Sequence, residues 1–401
     1  MKPRGDFRLG QMVLLTAASL ALSLSTLAAP SVTNVRATQR AGTQIVDIYY
    51  NLSAPGAPVV SVTVSTDGGA AYSLVPVNVT GAVGTVTPGN DRHIEWNAGL
   101  DWPNQFSSQV RVQVTASDSA PGSMVLIAAG SFQMGDALGD GYSEEVPRHT
   151  VYVSAFYMDR CEVTKSLWDT VKAWNGGNGY SYDNAGSGKA ANHPVHTVNW
   201  FDVVKWCNAR SQKEGWTPCY YTDAGLTTIY KTGQGAPYVK WNANGYRLPT
   251  EAEWEKAARG GAAGHRFPWS DTDTIQHSRA NYYSSSSYAY DTSPTRGYHP
   301  TFNDGIDPYT SPVGYFAANG YGLGDMAGNV WEWCWDWYDA AWYSNGGATQ
   351  NDTRGPSSGS YRLLRGGGWN DYARLARCAH RAYGTPLGAN YVIGFRCVRR
   401  L

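Results

Sequence analysis

The sequence predicts an all-β sandwich of the immunoglobulin or fibronectin kind over residues 31–118, followed by an α+β, loop-rich domain over residues 124–401. Three observations predict it. In the first part apolar residues alternate with polar ones: Val46, Ile48, Tyr50 and Leu52, then Val60, Val62 and Val64, then Val110, Val112 and Val114. That is the period of strands with one buried face. The second part carries three segments with helical spacing or helix-start signals. Composition supplies the third observation, with 45 Gly, 16 Trp and 27 Tyr against only 16% charged residues in 401. Glycine tolerates irregular backbone, and flat rings fill the space that regular elements leave.

Taken in order, Lys2, Arg4 and Arg8 precede an apolar run from Met12 to Leu24, and Leu27-Ala-Ala29 offers small residues for cleavage. Residues 1–29 therefore read as a secretory signal peptide, and the mature chain is expected to be secreted or periplasmic and disulfide-permissive. The run is short for a bilayer span, and no later apolar run is long enough. Within the sandwich, Thr66-Asp-Gly-Gly69 is a hairpin signal, Pro88-Gly-Asn-Asp91 a turn signal and Trp96 the expected core tryptophan. Ala116–Gly122 reads as a linker. Met124–Gly135 is expected to open the second domain as a strand pair, and Glu145–Asp159 to follow as a further strand. Thr164 is placed to cap a first helix with Leu167, Trp168, Val171 and Trp174 on one side. A second helix is expected over about Phe201–Lys213, burying Val204 and Cys207. Thr250-Glu-Ala-Glu253 is a capping box opening a third, which Gly260-Gly261 ends. Little periodicity remains beyond that point.

Acidic and basic residues balance at 32 each. That argues against generic electrostatic attraction to nucleic acid or anionic membrane. The six cysteines contain no Cys-x-x-Cys pairs of zinc type, and their pairing is open from spacing alone. Eight histidines include no His-x-x-x-His-x-Glu cluster. Neither a Gly-x-Ser-x-Gly elbow nor a phosphate loop occurs.

Four segments carry a resemblance: Tyr246-Arg-Leu-Pro-Thr-Glu-Ala-Glu-Trp-Glu255, Gly320-Tyr-Gly-Leu-Gly-Asp-Met-Ala-Gly-Asn-Val-Trp-Glu-Trp-Cys334, Arg365-Gly-Gly-Gly-Trp369 and Gly394-Phe-Arg-Cys397. In these, residues 124–401 resemble the formylglycine-generating enzyme, or sulfatase-modifying factor, family. The resemblance implies a fold related to C-type lectins, with a small twisted sheet, a few helices and long loops tied by cations and disulfides. It implies one calcium site at Asn281, the carbonyl of Tyr282, Asp304 and the carbonyl of Ile306, with Asp307 as an alternative carboxylate after a one-residue insertion. It implies a second at Asp325, the carbonyls of Gly328 and Val330, and Glu332. Such mixed oxygen donors suit calcium. It also implies a disulfide between Cys207 and Cys397.

The family oxidises a substrate cysteine with two cysteines of its own just after the Arg-Gly-Gly segment. Here the first position is Asp371, and the second falls at Leu375 or Ala376. A carboxylate neither holds copper as thiolates do nor exchanges with a substrate thiol. Copper and formylglycine generation are therefore not expected. Cys378 loses its family partner, because Ala258 stands in that place. It is left to pair elsewhere, with Cys334 a candidate, or to remain a reactive free thiol. Cys161 with Cys219 would complete the set. The tail from Trp369 to Ile393 is similar to the variable region of lectin-fold proteins from diversity-generating retroelements, in which exposed Asn, Asp, Tyr, Arg and His residues bind targets. Trp331, Trp369, Asn370, Asp371 and Tyr372 are thus the candidate groove for a peptide, glycan or cell-surface ligand. A thiol-directed or iron-dependent oxidoreductase is the competing class.

Overall fold

The computed structural model describes residues 30–53, 59–69, 72, 74, 76, 78–103, 105–117 and 124–400. The signal-peptide reading and most of the linker lie outside these residues. The chain divides between Ser123 and Met124 into two compact units.

The first unit is built from strands. One sheet orders Ser31–Gln39, Ile45–Ser53, Gly89–Asn97 and Val79–Gly81; the other orders Gly84–Thr85, Val59–Ser65 and Arg111–Ser117. Val46, Ile48, Tyr50 and Leu52 all face inward, as their alternation requires, and meet Val60, Val62, Val64 and Trp96 in one core. The indole N–H of the fully buried Trp96 donates to Asp101 at 2.9 Å. The turn expected at Pro88–Asp91 is instead the entry of a strand. Gly89 pairs with Leu52, and a register shift lets Asp91, at φ +50°, donate its N–H to the Asn51 side chain. The turn residues there make a bulge.

The second unit is mostly β with three α-helices among its described residues. One four-stranded sheet orders Tyr246–Arg247, Val398–Arg400, Phe156–Asp159 and Met124–Ile127. Another orders Ala382–Gly384, Arg362–Arg365, Trp331–Trp337 and Ile393–Gly394. The strand pair expected in Met124–Gly135 does not form. Met124–Ile127 pairs with Phe156–Asp159, whereas Gly130–Met134 pairs with His149–Val153. Glu145–Asp159 accordingly holds two strands in two sheets. The helices follow their start signals. Thr164 accepts from the Leu167 N–H to start Lys165–Trp174, Asn199 accepts from Asp202 N–H to start Trp200–Lys213, and Thr250 and Glu253 close a complete capping box on Glu251–Ala258.

That last helix is buried on every face, so its three glutamates need partners. Arg247 pairs with Glu253 at 2.6 Å, Arg381 with Glu251 at 2.7 Å, and Glu255 lies between Arg259 at 2.7 Å and Arg365 at 2.5 Å. Arg365 is the arginine of the Arg-Gly-Gly segment. Its pairing anchors the strand that leads into the groove.

Candidate groove and cation sites

Strand Arg362–Arg365 ends in Gly366 and Gly367, at φ +96° and +77°. A side chain at Gly367 would meet the Leu375 carbonyl at 3.0 Å, so only glycine lets the following segment fold back so closely. The return places Trp369 with its N–H on the Asn329 carbonyl at 2.8 Å and Asp371 beside Trp331. Asp371 Oδ2 accepts from the Trp331 indole at 2.6 Å and from the Gly368 N–H at 3.0 Å, and its carbonyl accepts from Tyr283 N–H at 2.8 Å. Burial pushes the Asp371 carboxyl above its ordinary pKa, against the pull of these two donors. Asn370 and Tyr372 stay exposed.

Trp369 is 2% exposed and belongs to the core beneath this segment. Tyr309, Tyr298 and Tyr391 lie against it at ring distances of 5.1, 5.6 and 5.9 Å. Tyr283 bridges Tyr298 at 4.8 Å and Tyr372 at 5.4 Å. The structure therefore brings the five groove residues to one place and adds a tyrosine rim that spacing does not show. Other tyrosines bind through their hydroxyls: the buried Tyr282 to Asp291, Tyr246 to Glu214 and Tyr220 to the Leu248 N–H, and the half-buried Tyr180 to Gln212. The rim tyrosines make no hydrogen bond through their hydroxyls among the described residues; Tyr283 is fixed by its N–H on the Asp371 carbonyl, and Tyr309 by its carbonyl on Asn281 and by the Lys189 ammonium 5.6 Å from its ring. Their hydroxyls are left for solvent or ligand.

No thiol lines this groove. Leu375 and Ala376, at the second redox position, sit in a 3-10 turn over Ala373–Ala376. All six cysteines are buried elsewhere as separate thiols. The Cys207 and Cys397 sulfurs face each other at 3.7 Å between the second helix and the C-terminal strand, each with no exposure. The Cys378 expectation of a reactive thiol is overturned. Its side chain is fully buried, and burial pushes the thiol up to about 12, so the nucleophilic thiolate does not form near neutrality. Cys161 packs against Gly314 and Gly324, whereas Cys219 donates to the Gly245 carbonyl, so these two sit in different surroundings.

The two cation sites differ. Around Asp325, which takes φ +56°, Oδ2 accepts from the Gly314 N–H at 2.5 Å, but the buried Oδ1 has no partner. Glu162 faces Asp325, which it can bond when protonated, and its two buried oxygens meet no other donor. Burial, followed by the Asp325 charge, drives the Glu162 carboxyl well above its ordinary pKa. Glu332 is held by Arg396 through two bonds of 2.7 Å and by the Trp254 indole at 2.8 Å. Three buried carboxylates thus share one guanidinium, and free oxygens remain, a donor set that fits a hard cation. No three acidic, His or Cys side chains among the described residues close into a ready metal cluster, so a cation there would draw on backbone carbonyls as well.

The first site does not fit as expected. Asn281 is buried with Oδ1 unpartnered, and the Tyr282 carbonyl faces His277 Nε2 at 3.1 Å. Asp304 lies outward and, with the Ile306 carbonyl, grips the Lys189 ammonium at 2.7 and 3.0 Å. A tethered cation occupies half of the implied ligand set. Neither Lys189 nor Glu162 is visible as a site residue from spacing. A Glu inside Cys161-Glu-Val-Thr164, an apolar strand-to-helix connection, was the one available signal for Glu162.

No helix among the described residues is long and apolar enough to cross a membrane. The model of the sulfatase-modifying factor enzyme 1-like domain matches residues 110–401. The chain is 35% identical over 295 residues to the formylglycine-generating enzyme of Streptomyces coelicolor, covering 68% of this chain and 88% of that protein. It is 32% identical over 289 residues to the chaperone protein LppX of Paenibacillus barcinonensis, covering 69% and 89%. Among solved structures it is similar to Treponema denticola variable protein 1, at 30% identity and a TM-score of 0.53, covering 69% of this chain and 95% of that one. Proteins named for different activities thus share one scaffold, and on that scaffold this chain belongs to the sulfatase-modifying factor family.

Proposed function

We propose that this protein is an extracytoplasmic, calcium-stabilised binding module that has left formylglycine chemistry behind. The observation that carries the reading is the capped Asp371 carboxylate at the first redox position, with every cysteine buried away from the groove. A carboxylate held by an indole and a backbone N–H neither carries Cu(I) nor forms a mixed disulfide. What remains is a cluster of tyrosines packed around the buried Trp369, with Tyr372 and Tyr391 exposed. Tyrosine supplies large contact area at low entropy cost, together with a polar tip. The likeness to a protein named variable protein 1 supports the same reading. A peptide, glycan or other cell-surface group is the ligand class.

Calcium would be held by Asp325, Glu332 and the carbonyls of Gly328 and Val330, with Glu162 facing them, and would neutralise the buried carboxylates. The two-sheet first unit serves as an immunoglobulin-like spacer or docking module.

Purified protein incubated with a Cys-x-Pro-x-Arg peptide, Cu(I), reductant and oxygen is expected to give no aldehyde product by mass spectrometry. Asp371→Cys alone is expected to give none either, because the second position lies in the 3-10 turn. Turnover by the native chain sinks the reading. Against a ligand taken from peptide display or a glycan array, the double variant Tyr372→Ala/Tyr391→Ala is expected to weaken binding by roughly thirtyfold, the effect of losing one strong aromatic anchor.

A further inference from the structure

Away from the groove, a cavity of about 270 Å³ opens beside the strands Phe156–Asp159 and Val398–Arg400. Its wall holds three guanidinium groups, Arg247, Arg354 and Arg400, and two carboxylates, Glu253 and Asp352. Both carboxylates are already engaged. Glu253 takes Arg247 through two bonds of 2.6 Å. Asp352 takes the Ser154 N–H at 2.6 Å and the Ser154 hydroxyl at 2.7 Å. Among the described residues Arg354 and Arg400 make no ion pair; the Asp352 and Glu253 charges act on Arg354 from a distance, and three guanidinium groups against two carboxylates leave the wall one positive charge in excess.

The Trp241 indole organises this wall. The Arg354 guanidinium lies 4.2 Å from its ring centre and that of Arg247 5.3 Å. The ring is itself fixed edge-on against Trp335 at 5.6 Å. Two like charges beside one indole repel. Burial and then the Arg247 charge lower the Arg354 pKa, against the smaller opposing pull of Asp352 and Glu253. A guanidinium stacked on a ring keeps a fixed plane, and its fork matches the paired oxygens of carboxylate, phosphate or sulfate.

We propose that this cavity binds a small oxyanionic group, held by Arg400 and by Arg354 on its Trp241 platform. The volume admits a single charged headgroup or an acidic sugar rather than an extended chain. The site is independent of the groove and of the reading given to it.

The test uses the full chain in chloride buffer of constant ionic strength. Inorganic phosphate, sulfate and acetate are titrated separately, with tryptophan fluorescence and isothermal calorimetry as readouts. At least one is expected to bind saturably, and which one does names the oxyanion. Arg354→Ala and Arg400→Ala are each expected to weaken it about tenfold, the value of one charge-assisted hydrogen bond. Arg354→Lys should restore only part of the affinity, because lysine keeps the charge without the fork. Leu387→Ala, at an exposed residue away from this cavity, should leave it unchanged. Absence of saturation above chloride for all three anions overturns the proposal. So does an affinity that the Arg354→Ala/Arg400→Ala double variant retains. Both arginines are exposed and unpaired, so these variants are expected to fold, which circular dichroism checks.

Discussion

Arg396→Ala is expected to lower unfolding free energy by about 3–5 kcal/mol in urea titrations at neutral pH, the cost of leaving a buried carboxylate without its partner. Arg396 has no solvent exposure and grips Glu332 with two bonds of 2.7 Å. The same guanidinium donates to the carbonyls of Gly324 and Asp325, the chain that positions the Asp325 cation site. Its removal strands Glu332 and also takes away the Arg396 charge that opposes burial at Glu162 and Asp325. The paired change Arg396→Met with Glu332→Gln removes both charges and should recover more than half of the loss, because the penalty lies in the unpaired ion rather than in the missing bridge. A loss below about 1 kcal/mol for Arg396→Ala would place the pair among weak, solvated contacts and would contradict its burial.

How much of this was readable in advance depended on the range of the forces involved. Val46, Ile48, Tyr50 and Leu52 announce their own inward face, since pleat alternation is a local property. Thr250 and Glu253 announce their helix, because both halves of the capping box lie within four residues. The partner of a strand is not local. Met124–Ile127 and Gly130–Met134 look like a hairpin in sequence, yet each pairs with a different part of the segment that follows. Pro88–Asp91 carries turn residues that serve a bulge. At the groove, Trp331, Trp369 and Asp371 were legible through a motif, whereas Tyr283, Tyr298 and Tyr309 come from a loop whose ring contacts no period encodes. Lys189 reaches Asp304 across 115 positions. A lysine in that place is indistinguishable, in sequence, from any solvated one. The Cys378 reactivity expectation failed for a related reason. Spacing names a cysteine, but only burial fixes its pKa.

Acid should open the protein at the groove segment first. Glu145 is fully buried and takes Arg377 through two bonds of 2.6 Å and faces His380 at 3.2 Å. Burial pushes its carboxyl up, but the His380 and Arg377 hydrogen bonds outweigh that and hold it at about 2, below the ordinary 4.5. The folded pKa is depressed, so the contribution is complete above pH 4.5 and disappears as pH falls towards 2. The size is about 3 kcal/mol, from roughly 1.4 kcal/mol for each unit. Asp336, which burial lifts to about 8, is protonated in both states below its ordinary 3.8 and adds no slope at the acid end of that window. The difference in stability between the native chain and Glu145→Gln should therefore shrink by about 3 kcal/mol between pH 4.5 and 2, measured by urea titration at each pH. A constant difference removes the ion pair from the account. Arg377 and His380 follow directly on the turn Ala373–Ala376, and the His380 ring lies 5.8 Å from that of Trp331. Loosening this bridge frees the segment that carries Asp371 and Tyr372. Loss of groove binding should then track the Glu145 titration, and Glu145→Gln should weaken ligand binding even at neutral pH without touching the ligand.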